Sequence, residues 1–367
     1  MKKFLLIIFL ATSLFSQAQT QALSEKYAPM LTVPKGYVCY RTTDAIIVDG
    51  RADELSWQKA TPTDLFIDIS GEHFPDPYYQ TTVKMLWDDN YLYIYAEMEE
   101  PHIWANLQQR DTIVYYDNDF EVFIDPRGEA NNYFEIETNA RGTIFDLSLE
   151  RPYRAPRRPF IQFQWNTPGL KLATHCNGTI NNSTDTDIGW SVEMAIPREA
   201  IASEFDNYLR AGHWLRINFS RVQWHHELDA DGNYSRKKDA DGQYLPEDNW
   251  VWSPSGQIAM HMPERWGYLY LSDKEVGQGT DEFYYPDTQL SERFLWMLFY
   301  AQEEQYRQHS SYHKNLSDFG LHPQDYELLP DGYEVLVETT SHTYEITATA
   351  PNGKQYVIDY LGNCFVR

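Results

Sequence analysis

The stretch DNDFEVFIDPRGEANNYFEIETNARG, running from Asp117 to Gly142, holds the acids best spaced for joint chemistry. Its two runs, FEVFID and YFEIETN, interleave large apolar residues with carboxylates. A strand alternates its side chains with period two, so Phe120, Val122 and Ile124 fall on one face and Glu121, Phe123 and Asp125 on the other. The turn-rich PRGEANN between the runs predicts a hairpin. Glu135 and Glu137 then share a face, and one register brings them near Glu121 and Asp125. Three chemistries suit such a group: a glycosidase acid pair, a calcium site, or the polar wall of a binding groove. Spacing leaves them open, because about 6.6 Å along a strand and about 5 Å across strands cover both retaining and inverting separations. Hydrolysis also requires one acid kept protonated by an apolar pocket. Several acids together more naturally hold a cation or accept hydroxyls.

These residues need a scaffold of strands. From Val38 to Leu271 the chain is mostly short strand-like runs between turn signals, among them TTVKMLWDD, YLYIYAEME, GWSVEMAIP, WLRINFSRVQW and RWGYLYLS. That punctuation predicts a mainly β fold, a jelly-roll-like antiparallel sandwich, over a parallel α/β sheet. In YLYIYAEME, Leu92, Ile94 and Ala96 point one way and Tyr91, Tyr93 and Tyr95 the other. Beyond SDKEVGQGTDEF the period changes. Leu290, Phe294, Met297, Leu298 and Ala301 lie at helical spacing, with Glu303, Glu304 and Arg307 on a polar side. YEVLVETT, TYEITATA and KQYVIDYLGNCFVR follow, so a small α+β module of one long helix and a three-stranded meander is expected.

Composition narrows the partners. The chain has 367 residues, enough for one large domain and a smaller one, and a net charge of -24 that argues against nucleic acid and anionic membranes. Fifteen percent aromatic content, with 11 Trp and 27 Tyr, suits sandwich cores and equally suits stacking on sugar rings. The opening MKKFLLIIFLATSLFSQAQT reads as a secretory signal peptide cut near Ala18, so the protein is expected to be exported, to the periplasm or beyond, with no membrane span. Cys39, Cys176 and Cys364 are too scattered for a metal motif, and no disulfide framework is expected.

Two further patterns invite a site. DADGNYSRKKDADGQYLPEDN places Asp229, Asp231, Asp239 and Asp241 in one stretch but lacks EF-hand spacing, and each Asp-Gly is a turn signal. His175, His213, His225, His226 and His261, with Met98, Met194 and Met260, raise a haem-binding sandwich, without any C-x-x-C-H motif to support it. Trp57, Trp190 and Trp252 sit inside strand motifs and are assigned to core packing.

Read in order, IIVDGRADELSWQKA, VKMLWDDNYLYIYAEMEEP, NDFEVFIDP, GWSVEMAIP, RINFSRVQW and MPERWGYLYLS resemble the family 9 carbohydrate-binding module, in its secreted bacterial family 9-like form. The resemblance covers most of residues 36 to 272. It implies a β-sandwich that holds sugars, often chain ends, between aromatic side chains, and it implies structural calcium. One side of the family's aromatic clamp falls on Tyr115 or Tyr116, just before the acidic strand. The opposing Trp belongs where this chain reads QIAMHMPE, so Trp104, Trp224 or Trp250 from neighbouring loops is expected to replace it.

The expected organisation is a signal peptide over 1–18, a linker over 19–35, the sandwich over 36–272, a linker over 273–286 and the α+β module over 287–367. The expected function is non-catalytic binding of an oligosaccharide or polysaccharide by Trp104, Arg110, Tyr115, Tyr116, Glu121, Glu135, Trp224 and His261, as in polysaccharide utilisation. Asp125 and Glu137 are the expected calcium ligands, and the C-terminal module a surface for another protein. A glycan hydrolase drawing its acid pair from Glu121, Asp125, Glu135 and Glu137, or a haem sandwich, is the alternative.

Overall fold

Phe120, Val122, Ile124, Phe134 and Ile136 turn into one core against Ile94, Ala96, Met98, Val192 and Met194, and this packing makes the molecule a sandwich. The computed structural model describes residues 21–155, 159–202 and 206–367. The signal peptide expected over 1–18 lies outside the described residues.

In chain order the large sheet takes β1 (Gly36–Arg41), β2 (Ile67–Asp68), β3 (Thr81–Trp87), β4 (Tyr91–Glu99), β5 (Asp119–Asp125) and β6 (Tyr133–Asn139). It continues with β7 (Ile144–Leu149), β8 (Ile161–Gln162), β9 (Lys171–Asn177), β10 (Gly189–Pro197) and β11 (Trp214–Gln223). A separate hairpin of β12 (His226–Leu228) and β13 (Tyr234–Arg236) follows, then β14 (Asp248–Val251) and β15 (Gly267–Glu275) rejoin the sheet. The strand path is β8-β7-β6-β5-β11-β15-β1-β3-β4-β10-β9, with β14 and β2 branching from β11. It folds over so that β8, β7, β6, β5 and β11 form one layer and β3, β4, β10 and β9 the other.

The pairing is antiparallel except at the fold-over, where β1 runs parallel to both β15 and β3. Period two is plain in β4. Leu92, Ile94 and Ala96 are fully buried in the core, while Tyr91, Tyr93 and Tyr95 pack on the outer face with Trp57. Trp57, Trp190 and Trp252 are buried as expected, but only Trp190 is on a strand: Trp252 follows the end of β14, and Trp57 sits on a short helix, Leu55–Lys59. The Asp-Gly stretch forms turns around the β12–β13 hairpin, with Asp229 accepting the backbone N–H of Asp231 and Asn233. Cys39, Cys176 and Cys364 are unbridged.

The C-terminal module is built on a long helix, Gln289–His309, that ends on Ser310 in the left-handed region. Phe294, Met297, Leu298 and Ala301 are buried by it, whereas Leu290 is exposed on its first turn. Its sheet has four strands, β16 (Glu334–Thr339), β17 (Tyr344–Thr349), β18 (Gln355–Asp359) and β19 (Cys364–Val366). The expected third strand breaks at Gly362, whose positive φ turns YLGN back into β19. From residue 21, the segment expected as a linker is part of this module: Tyr27 and Leu31 lie in its core, and Ser24 donates to Asp325 at 2.5 Å.

Buried polar contacts fasten the module to the sandwich. Arg216 of β11 pairs with Glu292 of the helix and lies 3.6 Å from the Tyr268 ring centroid, while Tyr268 donates to Glu292 at 2.6 Å. Tyr300 donates to Glu264 at 2.9 Å, beside the Arg154–Glu264 pair at 2.8 Å. Among the described residues no helix is long and apolar enough to cross a membrane.

Candidate functional site

The outward face of the β5–β6 hairpin forms the floor of a cleft of about 750 Å³. Glu121 stands directly opposite Glu137 in the strand register, and Phe123 opposite Glu135. On the other side of β5, Ser220 of β11 faces Glu121. Phe145 and Leu147 of β7 face Glu137 and Glu135, adding an apolar wall beside the acids. The alternation seen in the sequence therefore makes two surfaces at once, a dry core behind and an acidic floor in front.

The floor is deep. Glu121, Glu135 and Glu137 are 6 %, 4 % and 4 % exposed, and Asp119 at the end of β5 is 0 % exposed. Burial pushes the Glu121 carboxyl up to about 7, with Glu247 adding to the rise and the Ser220 hydroxyl opposing it. Burial pushes Asp119, Glu135 and Glu137 well above the carboxylate range, and repulsion from Glu121 and from one another reinforces it.

Above the floor the rim is apolar and aromatic. Ile113, Tyr153, Phe163 and Ile258 line the cleft and are exposed, and Tyr115 joins them. Arg110 stands at the same rim, fixed by Asp146 and by Asn166 at 2.5 Å. Gln109, Gln164, Glu247 and Asn249 supply further polar groups. His261 completes one wall, its Nδ1 2.9 Å from the Tyr133 hydroxyl. Burial and then the Arg154 guanidinium pull this imidazole down to about 3, so it is neutral and its 3.8 Å approach to Glu135 is not an ion pair.

Of the residues expected to bind a ligand, Arg110, Tyr115, Glu121, Glu135 and His261 line this cleft. Trp104 and Trp224 do not. They are 2 % and 5 % exposed, packed with Val222 and Tyr234, so neither ring offers a face for stacking. Trp224 serves the site indirectly, donating its indole N–H to the Tyr115 carbonyl at 2.7 Å. Trp250 is also buried, edge-on against Tyr78. Tyr116 is exposed but lies outside the lining, under the Arg236 guanidinium. Where the opposing Trp was expected, Ile258, Ala259, Met260 and His261 stand in the wall.

The expected calcium pair is not brought together. Asp125 is fully buried at the far end of β5, where its carboxylate accepts N–H groups from Arg127, Gly128 and Ala130 at 2.8–3.1 Å. It caps the hairpin loop, four residues along β5 from Glu121, the residue that faces Glu137. Glu137 gathers instead with Asp119 and Glu121, one oxygen from each lying within 4.8 Å of the others. Sequence reasoning passed over Asp119, although its two-residue offset from Glu121 already placed it on the same face. Tyr153 and Phe163 were also missed, because they come from the loop flanking β8 and no periodicity places them.

A larger groove of about 940 Å³ crosses the outer face of the opposite layer, past Lys84, His175 and Asn177. Its acids Asp53, Glu97 and Glu99 are exposed to solvent, and the carboxylate of the buried Asp187 accepts the N–H groups of Ile103 and Thr179.

Residues 48–274, more than half of the chain, match the family model described as carbohydrate family 9 binding domain-like. An endo-1,4-beta-xylanase C from Paenibacillus barcinonensis is 32% identical over 174 residues, 47% of this chain and 13% of the relative. Endo-1,4-beta-xylanase A from Thermoanaerobacterium saccharolyticum is 25% identical over 155 residues, 42% of this chain and 11% of the relative. The chain thus spans about a tenth of the length of these curated relatives. Among solved structures, a protein from Bacteroides uniformis assigned to carbohydrate binding has a TM-score of 0.48 at 16% identity, covering 65% of this chain and 100% of its own. A family 9 carbohydrate-binding module from Caldicellulosiruptor kristjanssonii in complex with glucose has a TM-score of 0.39 at 14% identity, covering 67% and 99%. On the family match, the chain belongs to the carbohydrate family 9 binding domain-like proteins.

Proposed function

We propose that this protein binds a saccharide in the β5–β6 cleft without transforming it. The observation that carries the reading is the pairing of an aromatic and apolar rim with a floor of desolvated acids in one cleft of about 750 Å³. Sugar rings offer apolar C–H faces to aromatic side chains and hydroxyls to acceptors, and this cleft has both. Tyr115, Tyr153 and Phe163 are the stacking candidates, and Glu121, Glu135 and Asn249 the polar ones. The family match supports carbohydrate as the ligand class.

Binding is favoured over hydrolysis by the family match, which is to a binding domain. The N-terminal sequence supports an exported protein, whose ligands would be extracellular or periplasmic glycans.

Calorimetric titration with xylo- and cello-oligosaccharides tests the reading, a panel prompted by the names of the xylanase relatives. Saturable binding that is weakened about tenfold in Tyr153→Ala, with no release of reducing ends, is expected. Failure of every oligosaccharide to bind, or turnover abolished by Glu121→Gln, would overturn it.

A further inference from the structure

We propose that Asp119, Glu121 and Glu137 hold a divalent cation of the calcium type on the floor of the cleft, and that this cation takes hydroxyls of the bound saccharide as further ligands. The first half stands on the carboxylates alone. The second rests on the saccharide reading above.

Two observations point to a cation. One oxygen from each of the three carboxylates lies within 4.8 Å of the others, which fits a single small ion between them. Independently, Asp119 Oδ2 and Glu137 Oε2 are buried with no hydrogen-bond partner. The other Asp119 oxygen has only a long contact, 3.4 Å, from the Val222 N–H. Buried acceptors left unpaired are costly, and acids that repel one another are more so. Nearby guanidiniums do not relieve them, since Arg110 is engaged by Asp146 and Arg154 by Glu264.

The donor set selects the ion. Three carboxylates are hard oxygen ligands, which favour calcium or magnesium over thiophilic metals. Calcium accepts about 6–8 oxygens in irregular arrangements, whereas magnesium demands a near-ideal octahedron. Three side chains on adjacent positions of one hairpin do not complete either shell, and the floor opens to the cleft. The missing oxygens must come from water or from a ligand's hydroxyls. A neighbouring pair of sugar hydroxyls supplies two.

The test is a titration of metal-stripped protein with calcium, followed by calorimetry and, in parallel, by terbium luminescence, without any sugar present. One saturable site is expected, weakened at least tenfold in Glu137→Gln and in Asp119→Asn. Asp239→Asn, in the exposed turn region, should leave it unchanged. Thermal melts check the variants, and without metal Glu137→Gln should melt no lower than the parent, because it removes a repulsion. Absence of a calcium or terbium site, or a site indifferent to Glu137→Gln, overturns the proposal. Sugar titrations in calcium and in EDTA then test the second half: at least a tenfold loss in EDTA supports it. Equal affinity in both overturns it while leaving the saccharide reading intact.

Discussion

Glu121 and Glu137 face each other across β5 and β6, both nearly buried, on the side of the hairpin turned away from the core. Two carboxylates so placed cannot both ionise cheaply. At about 5 Å and an effective dielectric near 20, two unit charges repel by about 3 kcal/mol. Glu137→Gln removes that repulsion and is expected to stabilise the metal-free protein by about 1–3 kcal/mol. Urea unfolding of parent and variant at pH 8 checks this, and a clear loss of stability would show that Glu137 has a partner the floor does not display.

The same acids set the pH response. Burial moves Glu121 from 4.5 to about 7, so between those values the folded chain holds a proton that the unfolded chain has lost. Stability therefore falls as pH rises through that window, and Asp119, Glu135 and Glu137, also pushed up, extend the fall. His261 acts in the opposite sense, because its drop from 6.5 to about 3 costs stability as pH falls below 6.5. The acid effect is thus cleanest above pH 6.5. Metal-free protein should melt at a lower temperature at pH 8 than at pH 6.5, and calcium should recover most at pH 8. Melting curves at both pH values, with and without calcium, decide it.

Tyr153 and Trp104 separate ligand contact from scaffold. Tyr153 is 49 % exposed at the rim, so Tyr153→Ala should cost little stability and weaken saccharide binding by about tenfold, the scale of one lost aromatic contact. Trp104 is 2 % exposed, and Trp104→Ala should destabilise the fold by about 3–5 kcal/mol. Parallel melts and titrations distinguish them. A Tyr153→Ala variant with unchanged affinity would move the ligand elsewhere.

Arg216 and Glu292 make the buried pair that joins β11 to the long helix. Removing one partner leaves the other charge uncompensated, so Glu292→Ala should cost about 3–5 kcal/mol. Replacing both with apolar residues of similar volume should cost much less. A double-mutant cycle by denaturant unfolding measures the difference.

The hairpin floor was legible because period two is geometric: once FEVFID and YFEIETN are strands, the shared face of Glu121, Glu135 and Glu137 follows. Asp125 obeyed the same rule and still went elsewhere, because the loop PRGEA required a buried acceptor for three backbone N–H groups. Trp104, Trp224 and Trp250 were not legible. An indole that fills a core and one that stacks on a sugar look alike in a sequence, and only the packing of Trp104 against Trp224 and Tyr234 tells them apart. Tyr153 and Phe163 reach the cleft through a loop whose course is set by tertiary contacts. The end of the chain was misjudged for a local reason, since Leu361-Gly362-Asn363 is a tight turn inside what read as one strand.

The most direct test of the central claim is calorimetric titration of the full chain with xylo- and cello-oligosaccharides in calcium, repeated on Tyr153→Ala. The account predicts saturable binding by the parent and at least a tenfold weaker isotherm for the variant. Flat isotherms for the parent across the panel, or equal binding by both proteins, would contradict the assignment of the β5–β6 cleft as a saccharide site.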